Sequence, residues 1–223
     1  MKTLLDATQK KFLAAFQKSE LAKYFYWTGG TLLAEEYLHH RFSEDLDFFS
    51  DRLFFDEYIA AQIAELRRKT GAKSVQEVKR LNRRQFVFEY GKRQLKVEFV
   101  YFPFPRFDKR QHSKCWKINI DSLRDIAANK THAAFERNEP KDVFDFYWII
   151  QRGRFSLLQC VKFVEKKLGV KIDPVTLIAK LIDALPSLQN LTPLITDKNL
   201  LQPEKMKKYF EKKALAYLKK EIR

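Results

Sequence analysis

The sequence predicts an α+β fold, with strands gathered in the first half and helices in the second. Two observations carry this. Between residues 74 and 102 lie three strand-like runs, "SVQEVKRLN", "RQFVFEY" and "QLKVEFVYF", the last two facing each other across Gly91-Lys92 as a hairpin would. From about residue 121 onward the apolar spacing is almost wholly helical. Between the halves, "FPFPRFDKRQHSK" (102–114) combines two prolines with a charge run, which suits a linker. The expected division is 1–115 and 116–223.

In order along the chain, residues 3–22 have helical periodicity through Leu4, Leu5, Phe12, Leu13 and Phe16. Residues 24–28, "YFYWT", form an aromatic strand candidate that ends at Gly29-Gly30. A helix over 31–40 places Leu32, Leu33, Tyr37 and Leu38 on one side, and "DLDFF" follows as a short strand. Residues 54–69 are helical and stop at Gly71. In the second half, 121–138 and 140–152 read as helices, the latter with Pro140 at a tolerated first-turn position. Three more are expected at 155–168, 174–185 and 204–222.

Composition narrows the class. The chain has 223 residues, 45% of them hydrophobic, with 20 Phe, 9 Tyr and 3 Trp, enough to bury a real core. No run approaches the ~18 apolar residues of a membrane span. The first residues, "MKTLLDATQKKFLAAFQK", are interrupted by Asp6, Gln9, Lys10 and Lys11 and read as an amphipathic helix, not a signal peptide. Cys115 and Cys160 lie far apart, and His39, His40, His112 and His132 lack ligand spacing, so neither a disulfide scaffold nor a zinc framework is expected. A cytoplasmic protein is the expectation. Lys and Arg total 43 against 28 Asp and Glu, a net charge of +15, which attracts polyanions but sets no specificity.

The chemistry concentrates in "YWTGGTLLAEEYLHHRFSEDLDFFSD", residues 26–51. On a strand, Asp45 and Asp47 project from one face while Leu46 and Phe48 point into a core. Two carboxylates side by side suit a hard cation such as Mg²⁺ or Mn²⁺, or else are a polar strand face. Gly29-Gly30-Thr31 lies between a strand and a helix, where backbone N–H groups can approach a phosphate and Thr31 can add a hydroxyl. A phosphate cradle next to a carboxylate pair is the order that phosphoryl or nucleotidyl transfer requires.

This stretch resembles the signature of the AbiEii/AbiGii-type nucleotidyltransferase toxins, within the polymerase-β-like nucleotidyltransferase superfamily. The family pattern is a G-G/S turn, a helix, then H-R-x-S-x-D-L-D-F. Gly29, Gly30, His40, Arg41, Ser43, Asp45, Leu46, Asp47 and Phe48 match it. A later Lys, an Arg and an R-D-x-x-D-L-Y helix are matched by Lys130, Arg137, Asp142, Asp145 and Tyr147, with Lys141 for the usual Arg and Phe146 for the usual Leu. The resemblance covers about residues 25–150. It implies a polymerase-β-like core with a mixed sheet, followed by a helical half that completes the active site.

The resemblance also implies roles. Asp45 and Asp47 would hold the metal that clamps an NTP. Glu98, on the "QLKVEFVYF" strand, is assigned as the third carboxylate, with a strand charge paired to Lys96 or Lys92 as the alternative. Lys130 would contact the nucleotide phosphates, with Asp142 or Asp145 positioning it. By residue pattern alone these three are ordinary surface residues. Gly29, Gly30, Thr31, Arg41 and Ser43 would line the phosphates, Arg41 otherwise pairing with Glu35, Glu36 or Glu44. The implied activity moves NMP from an NTP to an acceptor hydroxyl, with RNA (tRNA) as the acceptor that the resemblance implies and the charge suits, in a toxin–antitoxin or abortive-infection system with a cognate antitoxin. The alternatives are a protein or small-molecule acceptor, and a non-catalytic nucleic-acid or partner-binding module.

The last helix, "PEKMKKYFEKKALAYLKKEIR", carries eight Lys or Arg against three Glu. An apolar stripe through Met206, Phe210, Ala214, Leu218 and Ile222 runs beneath the basic face. It reads as a docked surface helix or as a rail for a nucleic-acid backbone.

Overall fold

The computed structural model describes residues 3–109, 111–137 and 139–221. The chain divides into two compact units. The first comprises Met1–Phe104 with Lys109–Ser122, and the second Pro105–Asp108 with Leu123–Arg223.

The first unit opens with α1 (Ala7–Phe16) and the short α2 (Leu21–Tyr24). The helix expected to run unbroken over 3–22 stops at Phe16, where the Ser19 hydroxyl donates to the Phe16 carbonyl at 2.7 Å and satisfies the helix end. β1 (Tyr26–Thr28) leads into α3 (Gly29–Leu32), and the helix continues as a π-helical segment over Leu33–Leu38. His39 ends it in the left-handed region at φ 50°, its N–H donating to the Ala34 carbonyl. A π-helical insertion leaves no mark in apolar spacing, so the helix expected over 31–40 shows its position and not its type.

β2 (Leu46–Ser50), α4 (Asp56–Thr70), β3 (Ser74–Arg80), β4 (Arg83–Tyr90) and β5 (Arg93–Tyr101) follow. β6 (Gln111–His112) and β7 (Asn119–Ile120) complete a mixed seven-stranded sheet of order β3-β4-β5-β2-β1-β7-β6. The hairpin across Gly91-Lys92 is present as β4–β5. The stretch expected as a linker instead returns a strand to the sheet, since β6 pairs with β7, which lies parallel to β1. Two residues per strand are too few to create a sequence pattern.

β2 is central and alternates as its sequence requires: Leu46, Phe48 and Ser50 are buried, Asp47 and Phe49 half-buried. Phe48 stacks on Phe16 of α1 at 4.1 Å and on Phe99 of β5 at 5.4 Å, and Phe12 meets Phe88 edge-on at 5.2 Å. This aromatic layer fixes β2 and β5 from below, leaving their opposite face for polar groups.

The second unit is helical: α5 (Leu123–Glu136), α6 (Pro140–Gly153), α7 (Leu157–Leu168), α8 (Pro174–Ala184), 3₁₀ turns over Leu185–Leu194 and Lys198–Leu200, and α9 (Pro203–Glu221). Asn138 and Ile222, the ends of two expected helices, lie outside the described residues. α5 packs on α6, α7 and α8. A fully buried ion pair joins Asp125 of α5 to Lys167 of α7 at 2.7 Å. The apolar stripe of α9 docks only in its first half: Met206 and Phe210 are buried, whereas Leu218 is 42% exposed. None of the described helices is long and apolar enough to cross a membrane.

Candidate active site

On the polar face of the sheet, register brings the acidic residues of the first unit together. Asp47 pairs with Thr28 on one side and, in the parallel β2–β5 ladder, with Glu98 on the other. Asp45 lies just before β2, and Lys96 lies two residues before Glu98, so these four residues share a face. Lys96 Nζ is 2.7 Å from Asp45 Oδ2 and 3.9 Å from Glu98 Oε1, and Arg83 Nη1 is 3.4 Å from Glu98 Oε2. Burial alone would lower the Lys96 pKa. Its hydrogen bond to Asp45 and the charges of Asp45, Glu98 and Asp47 outweigh that and hold it above the usual lysine value. The contribution of this contact to stability is therefore complete at neutral pH, and on the alkaline side it is lost as pH rises through the raised lysine value.

The paired glycines make room for this arrangement. Gly29 has φ +78°, and a Cβ there would overlap the Asp47 carboxylate, with Asp47 Cγ at 2.8 Å. A Cβ on Gly30 would meet Arg41 Nη2 at 2.7 Å and Ser43 Oγ at 3.1 Å. The Thr31 hydroxyl donates to the backbone carbonyl of Asp45. Gly29, Gly30, Thr31, Arg41, Ser43, Asp45 and Asp47 thus meet around one turn. Arg41 is buried, 2% exposed, and donates to the Phe42 carbonyl at 2.9 Å.

α1 holds this loop from outside. Asp6 and Gln9 form a capping box, and Gln9 Nε2 also donates to the carbonyls of Ser43 at 2.7 Å and Glu44 at 3.1 Å. Gln9 is a positioning residue that the sequence reading missed, although the D-x-x-Q spacing of Asp6 and Gln9 was there to be read. Lys96, expected as a partner of Glu98, has Asp45 as its nearer carboxylate.

Replacing Gly29 with Ala is expected to destabilise the protein by about 1–3 kcal/mol, because a side chain must adopt a left-handed backbone and displace a carboxylate. Urea unfolding of Gly29→Ala against wild type measures it.

The second unit holds the other predicted group. Lys130 Nζ on α5 lies 2.9 Å from Asp142 Oδ1 and 2.7 Å from Asp145 Oδ2, both on the first turns of α6. Arg137 Nη2 reaches Asp142 Oδ2 at 2.7 Å. Asp142 and Asp145 are 0% exposed and Lys130 is 9% exposed. The surface reading that residue pattern alone suggested does not hold. Charges buried this completely persist only when paired. Pro140 stands at the first turn of α6 as expected, and the one-turn spacing of Asp142 and Asp145 aims both carboxylates at the same ammonium.

The resemblance to nucleotidyltransferases implies a divalent metal. The donor set of Asp45, Asp47 and Glu98 fits one in kind: it is all carboxylate, hard, and already draws in a cation, the Lys96 ammonium. Among the described residues, however, no three acidic, His or Cys side chains converge as a metal cage.

Comparison with known proteins supplies a family. A family model described as "Nucleotidyl transferase AbiEii toxin, Type IV TA system" matches residues 11–218. The uncharacterized protein aq_aa25 of Aquifex aeolicus (strain VF5) is 27% identical over 165 residues, covering 73% of this chain and 75% of that one. The crystal structure of JHP933 from Helicobacter pylori superposes with a TM-score of 0.57 at 18% identity, covering 96% of this chain and 93% of that one. A second H. pylori crystal structure, described by inference only as a nucleotidyltransferase, gives 0.58 at 18% identity over 94% of each chain. These structural likenesses establish the fold.

Proposed function

The chain belongs to the AbiEii nucleotidyl transferase toxin family of type IV toxin–antitoxin systems, and from that premise we propose that it is a metal-dependent enzyme moving NMP from an NTP to an acceptor hydroxyl, with RNA, tRNA in particular, as the acceptor. The observation that supports this best is that Asp45, Asp47 and Glu98 share one sheet face, which draws in the Lys96 ammonium and is built against the Gly29-Gly30 turn.

In the reaction the acceptor oxygen attacks the α-phosphorus, the α–β phosphoanhydride bond breaks, and pyrophosphate leaves. Asp45 and Asp47 would ligate Mg²⁺ or Mn²⁺, with Glu98 as third carboxylate. Such a cation, when bound, neutralises triphosphate charge and polarises the reacting phosphorus. Glu98, beside Asp47 in the ladder, accepts the proton of the attacking hydroxyl. Arg41 and Ser43 sit beside Gly30, where a phosphate can approach the backbone closely. By the family pattern Lys130 would contact nucleotide phosphate; within its own unit its ammonium is held by Asp142 and Asp145. Catalysis then rests on positioning and charge neutralisation.

The RNA assignment rests on charge. Net charge is +15, and α9 exposes Lys205, Lys207, Lys208, Lys212, Lys213 and Lys219. Changing Lys207, Lys208 and Lys212 together to Gln should weaken RNA binding with little effect on NTP binding. Each lost phosphate contact should flatten the plot of log K against log salt by roughly 0.7–0.9. Fluorescence anisotropy across a salt series checks it, and an unchanged slope would remove α9 from the RNA surface.

Membership of a type IV system implies a cognate antitoxin. The decisive assay incubates the protein with each labelled NTP and total RNA, with and without a chelator. RNA labelling abolished by chelation is the expected result. Label on a protein or a small molecule would replace RNA as acceptor. No transfer with any NTP to any acceptor would overturn the enzyme reading.

A further inference from the structure

Lys96 occupies an unusual place for a lysine. It stands on β5, in line with Glu98 and across from Asp45, with the core residues Leu95, Val97 and Phe99 alternating on the other face. Its ammonium lies 2.7 Å from Asp45 and 3.9 Å from Glu98, and Asp47 adds to the charge acting on it. Asp45, Asp47 and Glu98 carry three negative charges, while Lys96 and Arg83 return two positive ones. With Lys96 in place the wall is nearly neutralised by the chain itself, and no three-carboxylate cage forms among the described residues.

We propose that Lys96 is a resident counter-ion of the carboxylate wall, a positioning residue that competes with the divalent metal for Asp45 and Glu98. The inference rests on the metal-dependent reading above. Its physical basis is simple. A divalent cation bound between Asp45 and Asp47 faces an ammonium already within ion-pair distance of Asp45, and like charges at that range repel strongly when partly shielded from water. Metal binding therefore requires the Lys96–Asp45 contact to open. The lysine has the means to do so. Its side chain is 35% exposed, so withdrawal leads toward water and not into the core. A long, flexible stem lets the ammonium leave without moving the strand. The free protein consequently holds metal weakly. A metal arriving with a triphosphate meets less opposition, because the nucleotide brings negative charge that the displaced ammonium can face. Lys96 thus couples metal entry to nucleotide entry, and it keeps three carboxylates in register in the meantime.

The test is Mn²⁺ binding without nucleotide, followed by electron paramagnetic resonance of the free ion and by the shift of the melting temperature with Mn²⁺. Wild type, Lys96→Met, Lys96→Gln, Lys96→Arg and Lys92→Met are compared. Lys92 lies in the hairpin turn between β4 and β5, is exposed, and controls for the general loss of one positive charge. Lys96→Met and Lys96→Gln should bind Mn²⁺ about 10–100-fold more tightly than wild type, while Lys92→Met and Lys96→Arg stay close to it. Melting of each variant without metal shows whether it folds, and Lys96→Gln keeps the test open if Lys96→Met does not. Equal or weaker Mn²⁺ binding by folded Lys96→Met and Lys96→Gln would overturn the competition while leaving the metal site standing. Absence of Mn²⁺ binding by wild type and every folded Lys96 variant would likewise overturn the competition, and its persistence when a non-hydrolysable NTP analogue is added would bring down the metal-dependent reading as well.

Discussion

Asp47→Asn should lower the rate of NMP transfer by about 10²–10³-fold, the loss that follows removal of one electrostatic stabiliser of a transition state, while leaving the fold intact. The substitution keeps the shape that lies against Gly29, so the tight approach there is preserved. It removes one of three carboxylates from a single sheet face, where like charges oppose each other, so the melting temperature should hold or rise slightly. A variant that is inactive and at least as stable as wild type separates chemistry from folding. Asp45→Asn tests less cleanly, because it also takes away the nearest partner of Lys96. Initial rates with labelled NTP, beside circular dichroism melts, give both numbers. An Asp47→Asn enzyme that still transfers label at the wild-type rate would move the catalytic role elsewhere.

Lys130→Met should do the opposite and unfold the protein as well as silence it. Two carboxylates with no exposed surface lose the ammonium that both of them hold. Arg137 reaches only Asp142 and is itself about half in water. Breaking a buried ion pair from one side costs about 3–5 kcal/mol, a large share of a typical domain's stability. Urea unfolding is the measurement. The double variant Lys130→Met/Asp145→Asn should lose less than the two single losses added together, because the second change removes a charge whose ammonium contact the first has already taken away. Strict additivity would mean that Lys130 and Asp145 do not act as a pair.

Much of this could be read before any coordinates. Asp47 and Glu98 each sit in an alternating run, and a strand pattern tells which face a residue takes without its neighbour. That Glu98 stands directly beside Asp47 depends on β2 and β5 pairing in parallel across a long stretch of chain, which no local pattern encodes. The same holds for Lys96, whose importance comes from a partner on another strand. Lys130, Asp142 and Asp145 looked like solvated helix faces because charged residues usually are; their burial follows from how α5 meets α6. The half-docked α9 has a similar origin. Its apolar spacing persists to Leu218, but the spacing of one helix does not say how far the surface beneath it extends. Gly29 was expected to admit a phosphate to the backbone; its left-handed geometry and the carboxylate packed against it add a second need for glycine.

The row Thr28–Asp47–Glu98 has a consequence for the chain as it folds. Its three members lie on strands whose pairings are distant in sequence, and β5 can join β2 only after the intervening α4 and the β3–β4–β5 meander exist. Contacts of that kind form slowly and late, since chain entropy is lost before they reward it. No fragment ending before residue 98 contains all three of Asp45, Asp47 and Glu98, so a growing polypeptide holds no assembled carboxylate face. For a member of a toxin family, the face proposed as catalytic comes into being only once β5 has joined β2.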